Sequence, residues 1–331
     1  MFFVSSSVSF PDADCDESIY QAEVASKLKT IHHDLPISED LFINNIEKCL
    51  YHYDFPLHDP SNIPFYLLCK MARDQGIKVL LSGDGADELF CGYSRYITLS
   101  NSMKNRRFKL RKLYADWFIP NFMIRNWPGG RIPRKLFGFH PVIHCTTLNN
   151  PYYAHLLAPE LKMKFKKRWE LYLEMRNHPQ SALAIQDICG YLRPWLTRAD
   201  RMAMAASVEL RVPFCNTKLL EKLSSQPFSF KLKNGISKFP LKRIAQKYFS
   251  NDLVWRRKVG FSLPLDDWFR NKRGLGRYID ILLDKTASQR GIFKRDELNK
   301  IIIEHQKKEQ NHGRLLWNTL NLELWYRMFI D

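Results

Sequence analysis

Hydrophobic and polar positions along the first 95 residues switch repeatedly between two periods. Phe2 to Phe10 sets aromatic and β-branched residues among serines and stops at Pro11, which reads as a buried strand. Ile19, Ala22, Ala25 and Leu28 then recur at helical spacing. Thr30 to Leu35 reads as a second, shorter strand. Ser38 is placed to cap the next helix, whose apolar face is Phe42, Ile46, Cys49 and Leu50. Asp54 to Asn62, with Pro56 and Pro60, reads as a loop, and Pro64 suits the first turn of a helix through Leu67, Leu68 and Met71. Ile77 to Leu81 is a short apolar run of the kind that forms a buried strand. Strands alternating with helices predict an α/β region, 1–95, built on a parallel, doubly wound sheet.

The pattern changes after Tyr96. Lys104 to Lys112 is a basic run that suits a solvated helix face. Trp127-Pro128-Gly129-Gly130 is a break. From about Ser181 to Asp331 the apolar spacing is helical with few strand signals. Residues 96–331 are therefore expected to form a mainly helical remainder, all-helical in its C-terminal part and packed on the sheet.

The strand ending at Leu81 runs directly into Ser82-Gly83-Asp84-Gly85-Ala86-Asp87-Glu88-Leu89-Phe90-Cys91-Gly92-Tyr93. Gly83 and Gly85 allow close approach of the backbone or a positive φ. Asp84, Asp87 and Glu88 lie just beyond the end of a strand, where open α/β sheets bind ligands. The spacing alone also suits an ordinary strand-to-helix turn with carboxylates favoured by the helix dipole.

Composition narrows the choice only a little. Hydrophobic residues make up 45% of the 331-residue chain, enough for a core, and 51 basic against 34 acidic residues leave a net charge of +17. That balance favours anionic partners without choosing among nucleotide, pyrophosphate, nucleic acid or an acidic surface. The seven cysteines are scattered with no Cys-x-x-Cys pair, which points to a reducing, cytoplasmic setting and away from disulfides or zinc. His32-His33 reads as structural. No apolar run approaches the ~18 residues of a membrane span, and Met1 to Phe10 has neither the basic flank nor the cleavage site of a signal peptide.

The full run from Ser82 to Tyr93 resembles the Ser-Gly-Asp-Gly-x-Asp-Glu-Leu-Phe-x-Gly-Tyr signature of the asparagine synthetase family, in its ATP-dependent synthetase domain. Further stretches match the same family. Leu196 to Phe214 resembles its Asp-Arg-x-x-Met-Ala…Glu-x-Arg-x-Pro-Phe block. Lys238 to Ala245 resembles its Lys-x-x-Leu-Arg segment, and Trp255 to Pro264, with Trp268, its Arg-x-Lys-x-Gly-Phe-x-x-Pro segment. His312 to Trp325 is similar to its terminal helix, and Val8-Ser9-Phe10, Asp16-Glu17-Ser18 and His32-His33 match upstream. The resemblance spans nearly the whole chain.

It implies a nucleotide-binding fold of the adenine nucleotide alpha hydrolase (PP-loop) type, N-terminally truncated. It also implies ATP-dependent adenylation of a carboxylate, followed by ammonia attack on the acyl-adenylate. Carried over by position, Val8, Ser82 and Gly83 would meet the nucleotide. Asp87 would bind magnesium as well as nucleotide. Asp84 would be the carboxylate needed for intermediate formation, one methylene shorter than the Glu many relatives carry. Lys258 would stabilise charge on pyrophosphate and the transition state; by position alone it is a surface lysine beside Arg256 and Arg257.

Two family features have no counterpart. There is no glutaminase segment, Phe2 standing where its nucleophilic cysteine would be, and no Ser-Gly-Gly-x-Asp-Ser loop to cradle pyrophosphate. The strand bearing that loop should lie between strands that remain. The expectation is thus a fragment, a split gene product or a decayed relative, with ammonia supplied free or by a glutaminase domain or partner chain. The Thr-Thr-x-Arg pattern that grips aspartate is replaced by Leu57-His58-Asp59-Pro60, so the acceptor is aspartate or a related small-molecule carboxylate, the replacement resembling relatives in polysaccharide or specialised metabolism. The alternatives are a catalytically inactive subunit that needs a partner chain for the loop, and a nucleic-acid-binding protein. No recognised motif supports the latter, and neither nucleic acid nor membrane is expected as a partner.

Overall fold

The serine-rich first strand holds because its serines are bonded. In the computed structural model, which describes residues 3–11, 13–57, 59–104, 156, 178–256 and 262–331, β1 (Val4–Ser9) and β2 (Ile31–Pro36) pair in parallel, in register from Val4 opposite Ile31 to Ser9 opposite Pro36. Ser5 Oγ lies 2.9 Å from His32 Nδ1, while Ser7 and Ser9 donate to Asp34 at 2.8 and 2.6 Å. This polar ladder satisfies groups that would otherwise be costly to cover, and it gives His32 the structural role expected of it. Val8 is buried in the core cluster.

The crossover between the two strands is α1 (Ser18–Leu28). Its expected apolar stripe is not buried: Ile19 is 80% exposed, Leu28 is half exposed and only Ala25 is covered. Ser38 caps α2 (Glu39–Ile43) by accepting the Leu41 N–H at 3.1 Å. The expected single helix is broken at Asn44–Asn45, where the Asn45 side chain donates to Leu41 O at 2.8 Å. The chain resumes as α3 (Ile46–Tyr53). All four residues of the expected apolar face, Phe42, Ile46, Cys49 and Leu50, are buried, each worth roughly 1.5–3 kcal/mol relative to exposure. Pro64 falls in the first turn of α4 (Asn62–Asp74).

β3 is Val79–Leu81. It pairs in parallel with β4 (Glu209–Arg211), Leu80 opposite Leu210, and β4 lies in the part read from sequence as all-helical. The anticipated buried strand is exposed instead: Leu81 is 74% and Val79 40% accessible. The physical reason is that Val79 and Leu81 share the face of β3 opposite Leu80: Leu80 packs on the core, while the other face stays accessible among the described residues. The parallel strands form two separate pairs, β1–β2 and β3–β4, rather than one doubly wound sheet, and among the described residues no strand joins them.

The rest is helical. α5 (Ala86–Leu89) and α6 (Ser94–Met103) follow the turn. After the undescribed stretch come α7 (Pro179–Gln186), a π-helical segment Asp187–Leu192, and α8 (Arg193–Ala205). Then follow α9 (Thr217–Ser224), α10 (Phe228–Lys231), α11 (Phe239–Ala245), α12 (Asn251–Trp255) and α13 (Leu265–Arg270). The chain ends in α14 (Ile279–Leu283), α15 (Lys285–Gln289), α16 (Arg295–Gln306) and α17 (Gly313–Phe329). One core joins both halves. Phe42 packs on Trp268 and Trp317 at ring separations of 4.9 and 5.3 Å, and Met202 and Ala203 of α8 belong to the same cluster. No helix among the described residues is long and apolar enough to cross a membrane.

Candidate active site

The turn after β3 is pinned from below and from within. Ser82 N–H continues the ladder to Arg211 O at 2.9 Å. The Ser82 hydroxyl donates to Asp84 Oδ2 and accepts the Asp84 N–H at 3.2 Å. Asp84 Oδ1 lies 3.5 Å from a guanidinium nitrogen of Arg198. That arginine is almost wholly buried. It bonds Ser61 Oγ at 3.1 Å and lies over the rings of Phe65 and Trp195 at 4.7 and 4.6 Å. Gly85 has φ 92°, and a Cβ there would fall 2.7 Å from Cys215 Sγ, so only glycine suits the position. At Gly83 a Cβ would meet nothing within 4 Å. The packing thus leaves open space beside the turn.

Asp87, in the first turn of α5, forms an ion pair with Lys238 at 2.9 Å. The Lys238 N–H donates to Phe90 O at 3.0 Å. Burial, followed by the neighbouring charges of Lys238 and Arg256, lowers the pKa of Lys242. Arg256 pairs with Glu17 at 2.5 Å and lies over the Tyr20 ring. Residues 257–261 are outside the described residues, so the expected approach of Lys258 to Asp84 and Asp87 lies outside them as well.

Glu88 points away from this group. It is 3% exposed, burial raises its pKa, and it accepts the Tyr93 hydroxyl at 2.6 Å. Next to it Arg95 grips buried Asp187 at 2.8 Å, stacked on Tyr93. Val8 sits at the end of β1 in the other strand pair, its carbonyl accepting from Gln21 at 3.1 Å. The structure therefore places Ser82, Gly83 and Asp84 on the turn after β3, Asp87 on the helix that follows it, and Val8 on another strand pair. Arg198 and Lys238, which face the two aspartates, lie in stretches noted in the sequence but were not singled out there. Lys238 opens the Lys-x-x-Leu-Arg resemblance, whereas Arg198 lies in the Leu196–Phe214 block but outside its Asp-Arg, which is Asp200-Arg201.

The donor set suits magnesium only in a restricted way. Among the described residues no group of three or more His, Cys, Asp or Glu side chains could hold a metal. A single carboxylate such as Asp87 suits an ion that keeps its waters and shares phosphate oxygens, as magnesium usually does.

The asparagine synthase family profile matches residues 4–327. The chain belongs to the asparagine synthase family. Asparagine synthetase [glutamine-hydrolyzing] 1 of Bacillus subtilis is 26% identical over 342 aligned positions, covering 98% of this chain and 52% of that protein. A putative asparagine synthetase [glutamine-hydrolyzing] of Mycobacterium bovis is 25% identical, covering 89% of this chain and 46% of its own length. Asparagine synthetase B of Escherichia coli matches at 33% identity over 97 residues, 28% of this chain and 17% of that protein. The chain spans about half the length of the first two of these asparagine synthase relatives.

Proposed function

We propose that the chain is a synthetase domain that activates a carboxylate with ATP and makes an amide from it, within a PP-loop type nucleotide fold. The observation that carries this is the pair Asp84 and Asp87 just beyond the C-terminal end of a parallel strand, facing Arg198 and Lys238 respectively. Carboxylate activation needs charge on the α-phosphate and leaving pyrophosphate neutralised, and a carboxylate near the reacting centre to handle protons. In this reading Asp84, fixed by Ser82 and Arg198, is that carboxylate. Val8, Ser82 and Gly83 line the nucleotide through backbone groups and the open space beside Gly83. Asp87 holds magnesium, which neutralises phosphate charge when bound, and Lys258 stabilises charge on the pyrophosphate and the transition state. The acceptor is a small carboxylate, and ammonia comes from a glutaminase domain or partner chain.

Among the described residues β3 is bonded on the β4 side alone, its other edge open, which supports a second element of the reading. A further strand, from elsewhere in the protein or from a partner subunit, covers that edge and brings the phosphate loop. The test is carboxylate-dependent ATP–pyrophosphate exchange by the full-length protein, across a panel including aspartate. Asp84→Asn, which keeps a polar partner beside buried Arg198, should remove exchange. Exchange that survives Asp84→Asn would refute the assignment.

A further inference from the structure

Asp87 and Lys238 are 151 residues apart, yet the chain is shaped around their contact. Lys238 has φ 54°, the left-handed region that a residue with a Cβ enters only when its surroundings impose it. Its N–H is tied to Phe90 O at 3.0 Å, and the Gly92 N–H is tied to Asp87 O at 2.7 Å. A Cβ on Gly92 would fall 1.8 Å from Asp87 Oδ1 and 2.4 Å from Lys238 Cε, so the backbone of 87–92 wraps the ion pair itself. Both side chains are about three-quarters buried. The neighbourhood is otherwise rich in positive charge: Lys242 approaches Arg256 O at 3.4 Å and feels the charges of both Lys238 and Arg256.

We propose that Lys238 is a resident cation of Asp87, that it blocks free divalent ions from that carboxylate, and that it releases Asp87 when a polyphosphate arrives. This rests on reading Asp87 as the metal ligand. An ammonium and a divalent ion on the same carboxylate repel each other, so the metal gains the site only when the ammonium has another anion to face. A polyphosphate supplies that anion to Lys238 and to neighbouring Lys242. Metal and polyphosphate then bind cooperatively, each raising affinity for the other by the same factor, and the site loads a metal–polyphosphate complex rather than the bare ion.

The experiment is a titration of the chain with Mn²⁺ alone, followed by water-proton relaxation, together with calorimetric titration of metal-free tripolyphosphate. Lys238→Gln and Lys238→Gly are compared with the parent; the glycine variant accepts the left-handed backbone and so guards against misfolding. Removing the ammonium should tighten Mn²⁺ binding at least tenfold in both variants and weaken tripolyphosphate at least tenfold. Adding Asp87→Asn to Lys238→Gln should abolish the gain in Mn²⁺ affinity. Unchanged Mn²⁺ or tripolyphosphate affinity in the Lys238 variants would overturn the proposal while leaving Asp87 as a metal ligand. A gain that persists in the double variant would place the metal elsewhere and overturn the reading of Asp87 itself.

Discussion

Replacing Gly92 by alanine measures how closely the chain is fitted around the Asp87–Lys238 pair. The added methyl would stand 1.8 Å from Asp87 Oδ1 and 2.8 Å from Asp87 Cγ, so the carboxylate must leave its position. The flexible Lys238 stem, 2.4 Å away, moves at little cost. Overpacking of this kind costs about 1–3 kcal/mol, and driving Asp87 off its rotamer adds about 0.5–1.5 kcal/mol. The ion pair, roughly a quarter exposed at both ends, is worth ~1 kcal/mol at most after solvent screening. A loss of about 3 kcal/mol is therefore expected, which moves a urea midpoint by about 1 M at a slope near 3 kcal/mol/M. The decisive arm is the same substitution in an Asp87→Ala background. With the carboxylate gone the methyl has room, and Gly92→Ala should cost less than about 1 kcal/mol, a coupling of ~2 kcal/mol between the two positions. Equal costs in the two backgrounds would show that Gly92 is needed for something other than Asp87.

Three further outcomes are expected. His305 is buried with its Nδ1 accepting the His312 N–H at 3.0 Å, and burial, then the Arg270 charge, push its pKa below the ordinary value. The unfolded chain thus takes up a proton that the folded one refuses, so stability is full above about pH 7 and falls as pH drops through about 6.5. Urea midpoints from pH 7.5 to 5 should show this, and His305→Gln should flatten that part of the curve. Arg290 holds buried Glu323 at 2.8 Å and Asp331 as well. Arg290→Ala should cost about 3 kcal/mol by stranding a buried carboxylate, with Arg327, 2.8 Å from Glu323, limiting the loss; a midpoint within error of the parent would refute this. Gly85→Ala should cost about 1–2 kcal/mol of left-handed strain, and Cys215→Ala, which removes the clash at Sγ, should recover only part of it.

Local chemistry made several elements legible. Ser38 caps its helix because its hydroxyl reaches Leu41 N–H, and Phe42, Ile46, Cys49 and Leu50 are buried because their spacing leaves no other face for the core. β1, β2 and the strand into the Ser82 turn were readable from short apolar or β-branched runs. What failed depended on neighbours that a local window does not see. Ile19 and Leu28 have helical spacing, but nothing described packs over them. Leu81 looks like a buried strand residue, but it shares with Val79 a face that stays accessible among the described residues. β4 is three residues long and is a strand only because Leu80 lies opposite Leu210. The same limit applies to the candidate site. Asp84 and Asp87 come with their motif, whereas Arg198 and Lys238 join them through contacts spanning more than a hundred residues.

The pairing of β3 with β4 also governs when the acidic turn can form. On a growing chain Val79 leaves the ribosome 130 residues before its partner Glu209, a delay on the order of ten seconds at ~5–20 residues per second. β1 waits only 27 residues for β2. Closing the longer loop is the slower step entropically as well. The turn bearing Asp84, with Asp87 just beyond it, should therefore be among the last parts of the nascent protein to settle. Ribosome-bound chains stalled before residue 209 emerges should leave it open to proteases while β1 and β2 are already protected.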